Sequence, residues 1–138
     1  MAENETAHGW FSAAVIPPLE QKVLMFTKWG SIWTGTFRNK GASGYMFSPD
    51  ALKLGRDVLW WMPIPEDGWH RFADEKPPLN TWALVKEQYG KVRSAKWCLA
   101  MSWDEEPSFW PFVGDKLCYW REMPLLPPGV TLKEPKRL

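Results

Sequence analysis

With 138 residues, 45% hydrophobic and 24% charged, the chain is long enough to bury roughly two thirds of its unfolded surface and too apolar to be disordered throughout. A net charge of +1 excludes a global field that gathers polyanions, so a nucleic-acid binder of this composition needs a local basic face. The 11 Trp and 13 Pro suit short strands joined by rigid loops and disfavour long helices.

The opening MAENETAHGW has neither a basic n-region nor an apolar h-region, so it does not read as a secretory signal. No apolar run reaches the ~20 residues of a spanning helix. Two cysteines without an export signal point to a reducing compartment, and the cytoplasm is expected. After Pro17-Pro18-Leu19 come KVLMF (22–26), then Lys28-Trp29-Gly30, then SIWTGTF (31–37). This predicts a hairpin whose tight turn takes its positive φ from Gly30. Alternation puts Gly35 and Phe37 on one face, and a small residue two before a large aromatic suggests a close approach there. Trp33 is expected on the face opposite Phe37, beside Lys28, Arg38 and Lys40. SPDALKLG (48–55) has a cap in Ser48, a first-turn Pro49 and a terminator in Gly55, predicting one or two helical turns. VLWWM (58–62) reads as a third strand, ended by the prolines of MPIP (62–65).

The same order then runs again. Gly9-Trp10 corresponds to Gly68-Trp69, Pro17-Pro18-Leu19 to Pro77-Pro78-Leu79, and Val23-Leu24 to Ala83-Leu84. Trp29-Gly30 corresponds to Tyr89-Gly90, Ile32 to Val92, Gly35 to Ala95, and Phe37 to Trp97. GYMF (44–47) is set against FWPF (109–112), and GRDVLWW (55–61) aligns without gaps with GDKLCYW (114–120). MPLLPP (123–128) closes the second copy as MPIP closes the first. This order is the signature of a tandem duplication. The expected fold is α+β and β-rich: two homologous small antiparallel β units, 1–66 and 67–138. Units of this size are marginal alone, so they are expected to pack together with pseudo-two-fold symmetry.

The run GW…PP…YG.V..A.W, an aromatic pair, and YW..MPLLPP resembles the DUF551 family, small phage and prophage domains of unassigned function. The match covers Gly68–Pro128 well and Gly9–Pro65 more loosely. His often precedes the late Trp in that family, whereas Trp60 and Tyr119 stand there in this chain. Arg121-Glu122 is an insertion relative to the pattern. The resemblance implies a phage-associated accessory protein and supplies no reaction.

Catalytic chemistry finds little support. His8 and His70 occupy unmatched positions without a Ser or Cys nucleophile signature and read as surface residues. Cys98, Cys118, His8 and His70 lack any C-x-x-C or H-x-x-x-H pair, so no metal or cofactor is expected and the cysteines read as apolar-site thiols. Asp104-Glu105-Glu106 are consecutive loop residues whose carboxylates diverge, which reads as a solvated acidic loop. The chain is therefore expected not to be an enzyme.

Aromatics matched in both copies read as core or hairpin-tip packing: Trp10/Trp69, Trp29/Tyr89, Phe37/Trp97, Tyr45/Trp110, Phe47/Phe112 and Trp61/Trp120. Trp33, Trp82, Trp60 and Trp103 are aromatic in one copy only, or half kept, and the shared fold does not demand them. Trp33 reads either as core between the two copies or as a partner anchor; Trp33 with Lys28, Arg38 and Lys40, and Trp103 with Asp104, Glu105 and Glu106, form the expected partner-binding set. The partner is expected to be a protein, a host protein for a phage gene, which the chain modulates or inhibits. Single-stranded nucleic acid is the alternative, with bases stacked among Lys28, Arg38, Lys40, Lys53 and Arg56. A sugar platform is weaker still, for want of polar groups arranged around the rings.

Overall fold

A computed structural model of the chain describes residues 6–48, 51–88, 91–99, 106–110 and 117–133. They form two compact units, Met1–Ile64 with Leu125–Leu132 and Pro65–Pro124 with Lys133–Leu138. Unit 1 holds β1 (Thr6–Ala7), β2 (Trp10–Ser12), β3 (Lys22–Thr27), β4 (Ile32–Asn39), β5 (Tyr45–Ser48) and β6 (Val58–Pro63). These pair antiparallel in the order β1-β2-β6-β3-β4-β5. Unit 2 holds β7 (His70–Arg71), β8 (Thr81–Glu87), β9 (Val92–Cys98), β10 (Ser108–Trp110) and β11 (Leu117–Glu122). Its antiparallel order is β7-β11-β8-β9-β10. The order β2-β6-β3-β4-β5 in unit 1 is thus met again, strand for strand, in unit 2.

The first hairpin forms for the reason its sequence suggests. Gly30 takes φ 78, and its N–H bonds Thr27 O at 3.1 Å, closing the turn between β3 and β4. Val23 to Thr27 is an unbroken buried run, because β3 lies between β4 and β6 and both its faces are covered. The unit 1 core gathers Val23, Met25, Phe37, Phe47, Val58 and Trp61. That of unit 2 gathers Ala83, Val85, Ala95, Phe109 and Trp120.

Register explains the small residue before the aromatic. Gly35 lies opposite Val23, and a Cβ at Gly35 would stand 2.6 Å from Met25 Sδ and 3.2 Å from Phe47 Cβ. In unit 2 the matching pair is Ala83 and Ala95, and the shorter Val85 stands where unit 1 has Met25. The volume that Met25 takes from position 35 is returned to position 95 as a methyl group.

Other contacts match as closely. Trp61 Nε1 donates to Val15 O and Trp120 Nε1 to Glu75 O, both at 2.8 Å. Phe11 stacks on Trp61 at 4.5 Å between centroids, and His70 lies on Trp120 at 4.4 Å. Glu20 N bonds Phe37 O, and Asn80 N bonds Trp97 O, from residues at φ 64 and 63. Both closing strands carry a bulge at the same place, at Leu59 in β6 and Cys118 in β11.

Three expectations are corrected. Ser48 ends a strand, and the described part of the predicted helix is bridged instead, Phe47 to Leu52 and Leu54 to Val58. Leu52 and Leu54 are two apart and both pack on the core, so burial at strand period overrides the capping signals. The helical component expected of an α+β fold reduces, among the described residues, to a 3₁₀ turn at Gly41–Ser43. Secondly, Phe37 pairs with Phe47 and Trp97 with Phe109, so Phe109 takes the place assigned to Phe112, which lies outside the described residues. Thirdly, positions 33 and 37 are four apart in a regularly paired strand, which puts Trp33 on the Phe37 face rather than opposite it.

Candidate functional site

The turn end of the β3–β4 hairpin carries the candidate site. Thr27, Trp29, Ser31, Trp33 and Leu52 line a groove of about 220 Å³. Trp29 remains 54% exposed and Trp33 37%, so both rings present apolar surface to solvent. A chain of hydrogen bonds lies beneath them. Trp33 Nε1 donates to Ser31 Oγ at 2.6 Å, and Ser31 Oγ lies 2.9 Å from Thr27 Oγ1. The Trp33 ring is thereby held in one orientation.

Beside the groove sits a buried carboxylate. Asp57 Oδ2 accepts from Lys53 N at 3.0 Å and from Arg56 Nε and Nη2 at 3.1 and 2.8 Å. Asp57 Oδ1 faces Lys28 Nζ at 3.1 Å. The Arg56 hydrogen bonds first, then the Lys53 N–H, and also Lys28 hold the Asp57 carboxyl far below the usual carboxylate range against the cost of burial. Lys28 Nζ also lies 5.0 Å from the centre of the Trp29 ring, where the ring quadrupole attracts a cation. Trp29, Lys28 and Asp57 thus form a continuous rim. The backbone adds Lys28 N to Asp57 O at 2.9 Å.

Of the residues expected to bind a partner, Trp33 and Lys28 meet at this groove. Arg38 lies five residues further along β4, roughly 16 Å at ~3.3 Å per residue, on the opposite strand face. It pairs there with Glu20 at 3.0 Å. Lys40 lies beyond β4, where its N–H bonds Gly44 O. Trp103, Asp104 and Glu105 lie outside the described residues, whereas Glu106 is described and exposed. Trp29, Thr27, Ser31, Leu52 and Asp57 were not expected at the site. Trp29 looked like shared packing because Tyr89 matches it, and Leu52 looked helical.

Elsewhere, His70 stands between two carboxylates, Nδ1 at 3.3 Å from Glu75 Oε1 and Nε2 at 2.9 Å from Glu122 Oε2. A hydrogen bond from its own backbone, then His70, pulls the Glu122 carboxyl below its ordinary value. Neither Cys98 nor Cys118 is in a disulfide. Among the described residues, no group of three His, Cys, Asp or Glu is placed to hold a metal, and no helix is long and apolar enough to cross a membrane. Comparison with known proteins returns no family model, no curated protein and no solved structure that matches the chain.

Proposed function

We propose that the chain is a non-catalytic protein-binding module built from two divergent copies of one DUF551-like β unit. In this reading it is a phage or prophage accessory protein acting in the host cytoplasm. It binds a host protein through the unit 1 groove and modulates or inhibits it by covering its surface.

One observation carries the reading. The register that matches Ile32 with Val92 matches Thr27, Ser31 and Trp33 with Glu87, Lys91 and Arg93. These three positions carry Thr, Ser and Trp in one unit and charged side chains in the other, while Trp29 keeps an aromatic match in Tyr89. The fold therefore does not require a ring at position 33, and Trp is among the side chains enriched at interface hot spots. A volume of about 220 Å³ accepts one bulky apolar side chain of a partner rather than a whole metabolite, whose pockets run to about 300–1,000 Å³. Pairing lowers the charge open to the nucleic-acid alternative: Asp57 and Glu20 offset two of the five cations Lys28, Arg38, Lys40, Lys53 and Arg56.

The test is capture of a partner from host lysate, followed by titration of that partner at two salt concentrations. Trp33→Ala and Trp29→Ala should each weaken binding about tenfold or more, and doubling the salt should change it little. Binding indifferent to both tryptophans would overturn the reading. A labelled single-stranded oligonucleotide that binds at physiological salt, with a steep salt slope, would put the alternative in its place.

A further inference from the structure

The β1–β2 hairpin does something that its packing role does not require. Ala7 pairs with Trp10, so His8 and Gly9 form a two-residue hairpin turn with φ 56 and 87. Such turns favour Asn-Gly, and His at the first position accepts backbone strain. Its imidazole is put to use: His8 Nδ1 lies 2.7 Å from Leu126 O. A carbonyl only accepts, so Nδ1 carries the hydrogen. Next to it, Trp10 Nε1 donates to Leu125 O at 2.8 Å. Two side chains of one hairpin thus read two successive carbonyls of the segment Pro124-Leu125-Leu126-Pro127.

That segment belongs to no strand, and Pro127 is buried while the Leu125 side chain is 72% exposed. It is held by side-chain donors and a buried proline rather than by a ladder. This is how aromatic-lined grooves take extended proline-rich peptides, whose preformed backbone loses little entropy on docking. Unit 2 keeps one part of the arrangement: Trp69, the counterpart of Trp10, donates Nε1–H to Pro65 O at 2.9 Å, four residues before it and just after Pro63 and Ile64.

We infer that the His8–Trp10 hairpin is a receptor for an extended, proline-flanked apolar segment, occupied by the chain's own Pro124–Pro127, and that a proline-rich segment of a partner protein exchanges with it. This surface is separate from the tryptophan-lined groove, so each can fail without the other. The apparent affinity for an incoming segment is lowered by the fraction of time the resident tail leaves the site open. Loosening the tail should therefore reveal the site.

The probe is a fluorescein-labelled peptide with the sequence of Met123–Leu132, titrated into the full-length chain by anisotropy, with a scrambled peptide as control. Pro127→Ser, which weakens the resident tail, should bind the peptide about tenfold more tightly than the parent chain. Adding Trp10→Phe, which keeps a ring but removes the donor, should weaken binding about fivefold from that level. In the unaltered chain, the assigned backbone amide resonances of Leu125 and Leu126 should shift as added peptide displaces the resident tail, a reading independent of whether the variants fold. The inference is overturned by folded Pro127→Ser protein that ignores the peptide, by affinity indifferent to Trp10→Phe, or by Leu125 and Leu126 resonances that peptide leaves unmoved.

Discussion

Gly35→Ala gives the sharpest test of how the two units solve one packing problem. The added methyl would meet Met25 Sδ at 2.6 Å and Cε at 2.8 Å, both inside contact distance, with Phe47 Cβ at 3.2 Å behind. Met25 is 1% exposed, so it has little room to swing aside, although a thioether chain adapts better than a branched one. Overpacking of this kind costs about 1–3 kcal/mol, and the lost freedom of the unfolded chain returns about 0.4–1 kcal/mol. The single variant should therefore lose about 1 kcal/mol. Unit 2 supplies the remedy, since Val85 and Ala95 fill the same register. Met25→Val alone leaves a small void and should cost about 1–2 kcal/mol. Combined with Gly35→Ala, the methyl fills that void, and the double variant should be more stable than additivity predicts by about 1–2 kcal/mol. Urea denaturation of all four proteins, with unchanged m-values, measures the coupling. Additivity within about 0.4 kcal/mol would refute the exchange of volume between the two positions.

Three further outcomes follow from the contacts. Asp57 has its folded pKa depressed, so its contribution to stability is complete above the unfolded value of about 4 and disappears as pH falls toward the folded value. Asp57→Asn should therefore lower the urea midpoint at pH 7 and flatten its fall between about pH 5 and pH 2, as a pH series would show. His70→Phe should be close to neutral at pH 7, because Phe11 makes the same ring contact in unit 1 and exposed ion pairs are worth about 0–1 kcal/mol. His70→Ala should lose the ring contact as well, about 0.5–1.5 kcal/mol more by thermal or urea unfolding. Ser31→Ala should weaken partner binding several-fold, because Trp33 would lose its hydrogen bond and must be ordered on binding. In a Trp33→Ala background the same substitution should have no effect, and calorimetry on the four proteins separates the cases.

How far the fold was legible depends on where each signal is stored. The hairpins, the strand-ending prolines and the close approach at Gly35 lie in local order: a glycine, a proline, a two-residue alternation. The helix expected at 48–55 came from equally local capping signals, and it lost to the burial of Leu52 and Leu54 against Val23 and its neighbours, which no local window contains. The three-residue slip of Phe109 arose because β10 follows a loop of different length and aromatics crowd positions 109 to 112, so several registers look alike. The site was harder still. Trp33 was found because its counterpart is Arg93, but Trp29 was hidden by its aromatic match. Asp57 gathers Lys28 from 29 residues away, and a single sequence holds no trace of that meeting.

The two units differ in two distinct ways, and the contrast bears on function. In the interior, Met25 and Gly35 become Val85 and Ala95, a change that conserves volume and leaves register, bulge and indole hydrogen bonds in place. At the hairpin end, Thr27, Ser31 and Trp33 stand against Glu87, Lys91 and Arg93, a change of chemistry rather than an exchange of volume. Drift at solvent-facing positions ends in polar side chains, because exposed apolar surface favours aggregation. Trp33, set against Arg93, runs counter to that drift, whereas Trp29 has an aromatic match in Tyr89; a Ser31 hydroxyl and a Lys28 ammonium hold the two rings in position at the rim of the groove. In the proposed reading, side chains ordered in advance in this way reduce the entropy lost on binding.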